Sequence, residues 1–157
     1  MVRFVALFAA ALLGFQLVFL LLIAGSEPFA RYLELCARWS GALLTVLGNP
    51  ATVEGNRIAF ADCQFVVSTP CSGLQPMAML AIAVLAFPSS WRAKLIGLAA
   101  GTAALLALNV ARIASLCLVE LHAPGAFETV HLALWPMALI LCSIALWVGW
   151  ARRVSRA

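Results

Sequence analysis

The stretch LIGLAAGTAALLALNVARIASLCLV, residues 95–119, decides the fold. It is apolar and exceeds the roughly 20 residues that a helix needs to cross a bilayer. Gly97 and Gly101 share one helix face, a spacing that permits close packing against a second helix. The only charged residue, Arg112, requires protein or water around it. We therefore predict a membrane helix packed against other helices.

The composition of the whole chain supports a membrane protein. Of its 157 residues, 65% are hydrophobic and 10% are charged, and the mean hydropathy is +1.07. These values exclude an ordinary soluble domain. The net charge of +4 does not indicate nucleic-acid binding, because the basic residues flank apolar runs. We expect one polytopic domain over residues 1–157, of the all-α membrane class.

Four apolar runs predict about four transmembrane helices, at residues 4–24, 70–87, 95–119 and 130–150. Basic residues tend to stay on the cytoplasmic side. With both termini cytoplasmic, that side receives Arg3, Arg92, Lys94, Arg152, Arg153 and Arg156. The acidic residues all fall outside: Glu27, Glu34, Glu54, Asp62, Glu120 and Glu128. The alternative for the first run is a cleaved signal peptide, because small residues follow it.

Residues 25–69 are predicted to form an extracytoplasmic cap. The sequence SEP at residues 26–28 is a helix start, and the residues after it alternate between an apolar and a charged face. We place this amphipathic helix on the outer interface, and insertion of residues 28–47 into the membrane stays open. A glycine turn at 54–56 predicts a small β-hairpin, followed by a short strand at 63–68.

The stretch TPCSGL, residues 69–74, holds a cysteine at the outer end of the second predicted span. If Thr69 caps the helix and Pro70 begins it, Cys71 lies in the first turn. Unpaired backbone N–H groups and the helix dipole favour a thiolate there. A buried structural cysteine is the competing interpretation. Pro76 leaves open that the regular helix begins only at that residue.

Arg112 is expected near the same membrane face, about 10 Å below the outer end of its helix. A charge at mid-helix costs about 2.5–3.5 kcal/mol on insertion scales, so it needs partners. Asn109 and Ser115 share its helix face. The structural alternative is that Arg112 reaches toward the lipid headgroups and pairs with Glu120 or Glu128.

His131 opens the last apolar run, where the helix dipole favours the neutral imidazole of a general base. His122, in a predicted outer loop at 120–129, is the other candidate for the general base.

The five cysteines are Cys36, Cys63, Cys71, Cys117 and Cys142. Their odd number and the lack of a CxxC pair indicate neither a disulfide framework nor a zinc site, and no metal or organic cofactor is expected. A pairing of Cys63 with Cys36 or with Cys71 stays open.

At these positions the sequence resembles the exosortase and archaeosortase family of membrane-embedded cysteine transpeptidases, in its compact form. The resemblance rests on PCSGL (70–74), NVARI (109–113) and FETVH (127–131), in that order, and covers roughly residues 66–150. It implies an enzyme that cleaves C-terminal sorting signals of exported proteins and transfers them to a cell-surface acceptor. Whether water can replace the acceptor stays open.

The resemblance also implies the catalytic residues. Cys71 would be the nucleophile that forms a thioester, and Arg112 would stabilise the thiolate or an oxyanion. His131 would protonate the leaving amine and then activate the acceptor. Supporting or substrate-binding positions fall to the motif residues Ser72, Gly73 and Asn109.

The expected partners are the lipid bilayer and membrane-anchored substrates whose sorting signal comprises a short motif, a transmembrane helix and a basic tail. The expected location is a bacterial inner membrane, with the site on the extracytoplasmic face; the oligomeric state is open.

Two rival functions remain. One is a four-helix membrane thiol-disulfide oxidoreductase, which needs a cycling cysteine pair. The other is a non-catalytic assembly or transport subunit in which Arg112 only bridges helices.

Overall fold

The computed structural model describes residues 2–61 and 63–156, and of residues 2–7 the backbone alone. Asp62 and the side chain of Arg3, both part of the predicted charge distribution, lie outside this range. The described chain is mostly helical, with one small sheet. The prediction of a mostly helical protein with a small β-sheet is confirmed at this level.

The described residues form six α-helices and three strands. The helices are α1 (Val2–Val18), α2 (Glu27–Val46), α3 (Leu74–Ala86), α4 (Trp91–His122), α5 (Phe127–Thr129) and α6 (Trp135–Val154). The strands are β1 (Ala51–Glu54), β2 (Arg57–Phe60) and β3 (Cys63–Val66). The π-helical segment Phe19–Ile23 continues α1, and Val130–Leu134 joins α5 to α6. Because Pro124–Val154 runs on without a break, we call it the last helix.

Two helices of the described chain, α4 and the last helix, are long and apolar enough to cross a membrane. A third candidate is formed by Phe8–Ile23 together with α2, but the two halves are bent by 97°. α3 is apolar and has 13 residues, a rise of about 20 Å against a hydrocarbon core of about 30 Å. The protein is thus a membrane protein with two or three candidate spans, and the count of four stays a prediction.

The chain turns sharply between α1 and α2 because α2 has its own start signal. The hydroxyl of Ser26 accepts a hydrogen bond from Phe29 N at 3.4 Å, which caps the helix as predicted. The apolar face of α2 is buried, and the helix packs against α4. Its charged face is exposed and carries an ion pair of 2.6 Å between Arg31 and Glu27.

The three strands form one antiparallel sheet in the order β1-β2-β3. Gly55, with φ +58°, makes the turn between β1 and β2. Ile58 and Phe65 are opposite each other on β2 and β3 and are buried, and these strands pack on α2 and α4. The predicted hairpin and following strand are confirmed, and the structure adds that the strand pairs with the hairpin.

The two ends of the bundle differ in chemistry. A Cβ at Gly97 would lie 2.5 Å from the Trp150 ring, and a Cβ at Gly101 would overlap Leu80, so both glycines permit close helix packing as expected. Trp150 Nε1 also donates to Ala93 O at 3.0 Å. Because α4 begins where α6 ends, their basic residues gather at this end. The three motifs singled out in the sequence meet at the opposite end.

Several predicted boundaries were wrong. The second apolar helix begins at Leu74, not at residue 70, because Gly73 adopts φ +69° and interrupts the helix. The runs predicted at 95–119 and 130–150 lie in longer helical stretches, whereas the run predicted at 4–24 corresponds to a helix over residues 2–23. The outer loop predicted at 120–129 is mostly helical, since α4 continues to His122 and helical turns resume at Pro124.

Candidate active site

Cys71 lies in a turn, not in the first turn of a membrane helix. The cysteine turn, residues 69–73, begins as a 3₁₀ turn in which Cys71 N donates to Ser68 O at 2.8 Å and Ser72 N donates to Thr69 O at 3.1 Å. Thr69 therefore does not cap α3, and the N–H groups of residues 71 and 72 are already paired. Cys71 is 1% exposed, so protein groups surround it.

His131 is the side chain that the last helix brings to this cysteine. Cys71 Sγ and His131 Nε2 are 3.5 Å apart and form a hydrogen bond. His131 lies within the π-helical segment, further from the start of the last helix than predicted, and the Phe127 ring packs beside it with centroids 5.3 Å apart. A thiol and an imidazole at this separation can exchange a proton.

The competing histidine is not part of this contact. His122 is exposed at the carboxyl end of α4, and in the described chain no hydrogen bond joins it to Cys71. The packing of the last helix against the cysteine turn, and not the order of residues in the chain, decides between the two histidines.

Arg112 and Asn109 of α4 bind the backbone of the cysteine turn. Asn109 Nδ2 donates to Cys71 O at 3.0 Å, and Arg112 Nη1 donates to Pro70 O at 3.3 Å. Three residues separate the two side chains, so they lie on one face of the helix as expected. Ser115 is not part of this contact, because its hydroxyl bonds back to Arg112 O at 2.8 Å.

The alternative in which Arg112 reaches the headgroups is wrong. Its side chain is 3% exposed, and among the described residues the only ion pair joins Arg31 and Glu27. Its partner is a backbone carbonyl and not Glu120 or Glu128. The Nε atom of Arg112 is buried without a hydrogen-bond partner in the described chain, so this guanidinium retains a donor next to the cysteine turn.

Tyr32 of α2 is a site residue that sequence reasoning missed. Its hydroxyl donates to Ser72 O at 2.6 Å. Pro70, Cys71 and Ser72 therefore each offer a carbonyl to a different side chain, two from α4 and one from α2. A signal existed, because Tyr32 is the only tyrosine in the chain and follows the buried Phe29 by one turn of the amphipathic helix.

Gly73 and Ser72, both predicted as supporting residues, shape the same turn. A Cβ on Gly73 would lie 2.7 Å from Asn109 Cγ and Oδ1, so the amide can approach the turn only because residue 73 has no side chain. The Ser72 hydroxyl accepts from Leu74 N at 3.3 Å, which satisfies an N–H group at the start of α3. Each of the predicted site residues is thus at the cysteine turn or in contact with it.

Comparison with protein-family models shows to which family the chain belongs. A family model described as transmembrane exosortase matches residues 2–149. The chain belongs to the transmembrane exosortase family. The resemblance stated from the three sequence motifs is therefore confirmed. No curated protein and no solved structure matches the chain.

A cavity of about 530 Å³ adjoins the cysteine turn. Thr69, Ser72, Arg112 and His131 contribute polar side chains to its lining, and so do Gln16 and Gln75. Its remaining walls are mainly apolar and come from α1, α3 and the last helix. We call this cavity the groove: His131 and the neighbours of Cys71 line it, whereas Cys71 itself is 1% exposed and does not.

The cysteines form no disulfide bond at the site. All five are free thiols, so Cys63 is bonded to neither Cys36 nor Cys71. Within residues 2–61 and 63–156, no group of three or more His, Cys, Asp or Glu side chains is placed to hold a metal ion.

Proposed function

We propose that this protein is a membrane-embedded cysteine transpeptidase or protease that cleaves C-terminal sorting signals of exported proteins. The observation that carries the proposal is the 3.5 Å contact between Cys71 Sγ and His131 Nε2 beside a buried guanidinium. A nucleophile, a base within reach and a fixed cation are the parts that acyl transfer needs. Membership of the exosortase family supports the same chemistry.

The first half-reaction forms a thioester. His131 Nε2 takes the proton of Cys71, and the sulfur attacks the substrate's carbonyl carbon. The resulting tetrahedral oxyanion collapses, the C–N bond breaks, and His131 returns the proton to the leaving amine. Nε2 must therefore be unprotonated at the start, with the ring proton on Nδ1.

The second half-reaction releases the new carboxyl end. A nucleophile from the acceptor, or water, attacks the thioester carbonyl while His131 takes its proton. The C–S bond then breaks, and the thiolate of Cys71 recovers a proton from His131. Acyl transfer to an acceptor and hydrolysis thus differ only in the attacking group.

Arg112 is the group proposed to stabilise negative charge in both steps. Only its Nη1 atom has a hydrogen-bond partner in the described chain, and this bond fixes the guanidinium to the turn that carries the nucleophile. A planar cation held in a buried position needs little rearrangement when an oxyanion forms. Asn109 and Gly73 are proposed to hold the turn in register.

The proposed membrane arrangement has four spans, both termini in the cytoplasm and α2 on the outer interface. The gathering of basic residues at the end opposite the cysteine turn supports it. The site would then face the extracytoplasmic side of a bacterial inner membrane. The substrates would be membrane-anchored proteins with a short motif, a transmembrane helix and a basic tail, whose scissile bond lies just outside the bilayer.

The test is co-expression with a candidate membrane protein that carries a C-terminal helix and basic tail. The mass of this protein is compared for the unsubstituted enzyme, for Cys71→Ala and for Cys63→Ala. Loss of the tail with the unsubstituted enzyme and Cys63→Ala, but not with Cys71→Ala, supports the proposal. Equal loss of the tail with all three excludes Cys71 as the nucleophile.

The same variants separate the rival functions. A thiol oxidoreductase needs a second cysteine, so Cys63→Ala would abolish activity as fully as Cys71→Ala. In a non-catalytic subunit, Cys71→Ala would be silent, whereas Arg112→Ala would lower the amount of folded protein in the membrane.

A further inference from the structure

The groove beside the cysteine turn is lined by residues of two helices that flank α3. Leu12 and Leu20 of the first helical segment form one wall, and Leu132 and Ile140 of the last helix form the other. Leu20 and Leu132 are each 63% exposed, so the apolar rim of the groove is accessible from the side. α3 packs against both helices and forms the floor. The groove therefore offers an accessible apolar surface beside the cysteine turn, as a long apolar segment would require.

Two glutamines interrupt this apolar surface. Gln75 Nε2 and Gln16 Oε1 are 3.5 Å apart, across the groove wall between α3 and α1. Gln16 is the only polar residue in the apolar run 4–24. A separation of 3.5 Å is at the long limit of a hydrogen bond, so most of the donor and acceptor capacity of both amides is unused.

The proposed reaction creates a need for such amides. If the scissile bond lies at Cys71, the substrate's membrane helix begins immediately beyond it and leads into the groove. The first four N–H groups of any helix have no partner within the helix. In an apolar environment unpaired backbone groups are strongly unfavourable, so the groove must supply partners for them. A glutamine amide offers an acceptor and two donors, like the backbone it would bind.

We propose that the groove between α1 and the last helix binds the substrate's transmembrane helix, and that Gln16 and Gln75 hydrogen-bond the backbone at the start of this helix. The occupant is the leaving-group side of the sorting signal. This inference rests on the proposed function, because that function places the scissile bond at Cys71. It adds the binding path and the two residues that hold the substrate in line with the nucleophile.

The test measures binding separately from cleavage. The Cys71→Ala enzyme, which cannot form the thioester, is titrated in lipid nanodiscs with a fluorescently labelled membrane protein that carries a C-terminal helix and basic tail. Gln16→Leu and Gln75→Leu are added singly to this enzyme. Gln64→Leu is the matched control, because Gln64 is exposed on β3 and does not line the groove.

Loss of one hydrogen bond of about 1 kcal/mol corresponds to a Kd about fivefold higher. We expect this increase for Gln16→Leu and for Gln75→Leu, and no change for Gln64→Leu. An unchanged Kd for both groove variants, an equal increase for the control, or no binding at all overturns the proposal.

A second pair of variants tests the groove itself without touching the amides. Leu20→Trp adds bulk to the groove wall, whereas Leu21→Trp adds the same bulk on the neighbouring residue, which is 71% exposed and does not line the groove. We expect weaker binding only for Leu20→Trp. Equal binding by both variants would place the substrate helix elsewhere.

The outcome is distinguishable from failure of the proposed function. If the Cys71→Ala enzyme binds the substrate through Gln16 and Gln75 but the unsubstituted enzyme never cleaves it, the subsite stands and the peptidase function fails. If the unsubstituted enzyme cleaves the substrate and neither glutamine affects binding, the function stands and the subsite fails.

Discussion

Replacing Gly73 by alanine should destabilise the cysteine turn through two separable effects. Alanine at φ +69° costs about 1–2 kcal/mol, because an L residue is strained in the left-handed region. The added Cβ also lies 2.7 Å from Asn109 Cγ and Oδ1, well inside the contact distance of about 3.5–4.0 Å. Asn109 is fully buried and bonded to Cys71 O, so it cannot withdraw freely. Overpacking of this kind costs about 1–3 kcal/mol.

Gly55→Ala is the matched control for the backbone effect. Gly55 has φ +58°, but no atom lies within 4 Å of an added Cβ. Gly73→Ala should therefore destabilise the protein by about 2–5 kcal/mol and Gly55→Ala by only about 1–2 kcal/mol. Thermal unfolding in detergent, followed by the fluorescence of the five tryptophans, measures the difference. At this chain length, each kcal/mol lowers Tm by roughly 2–4 °C.

A double-mutant cycle identifies the partner. Gly73→Ala combined with Asn109→Ala should be more stable than the sum of the single changes predicts, because the contact disappears when either partner is small. Equal losses of Tm for Gly73→Ala and Gly55→Ala would refute the packing argument. Strictly additive losses in the cycle would show that Asn109 is not the side chain that excludes a Cβ at residue 73.

Three further substitutions test the roles of individual side chains. Arg112→Lys should lose most tail cleavage although it keeps the charge, because a single ammonium cannot replace the planar fork that binds the turn and faces the site; full cleavage at equal expression would contradict this role. His131→Ala should slow cleavage by about 10²–10⁴-fold, the usual contribution of a general acid-base, whereas the exposed His122→Ala should have little effect, and the reverse order would move the base to the end of α4. Tyr32→Phe should lower the free energy of unfolding by about 1–3 kcal/mol, because a carbonyl of the turn loses its donor; an unchanged Tm would show that this bond does not hold the turn.

The three carbonyl contacts explain why a membrane helix carries such polar residues. Asn109 and Arg112 interrupt an otherwise apolar stretch of α4, and Tyr32 comes from α2, which packs against α4. Burying these groups is tolerable because each bonds a backbone carbonyl that would otherwise be unpaired. The same bonds hold Cys71 where the last helix delivers His131.

Much of the fold was readable from local patterns. Mean hydropathy predicted a membrane protein, the serine cap located the start of α2, and the turn at Gly55 located the hairpin. Cys71, Arg112 and His131 were noticeable in the sequence because charged and reactive side chains are rare in an apolar chain. The structure brings all three to the cysteine turn, and their catalytic roles stay predictions. Helix boundaries were predicted less well, since the left-handed Gly73 and the helical outer segment depend on how the ends of the helices pack.

The sequence by itself thus determined the class of protein, the elements and the set of polar residues that lipid cannot solvate. Only the tertiary structure decided that Cys71 meets His131 and not His122, that Asn109 and Arg112 bind backbone carbonyls, and that Tyr32 completes the turn. The reason is physical. Hydropathy and capping act over a few residues, whereas these contacts join residues 38 to 60 positions apart and exist only once the helices have packed.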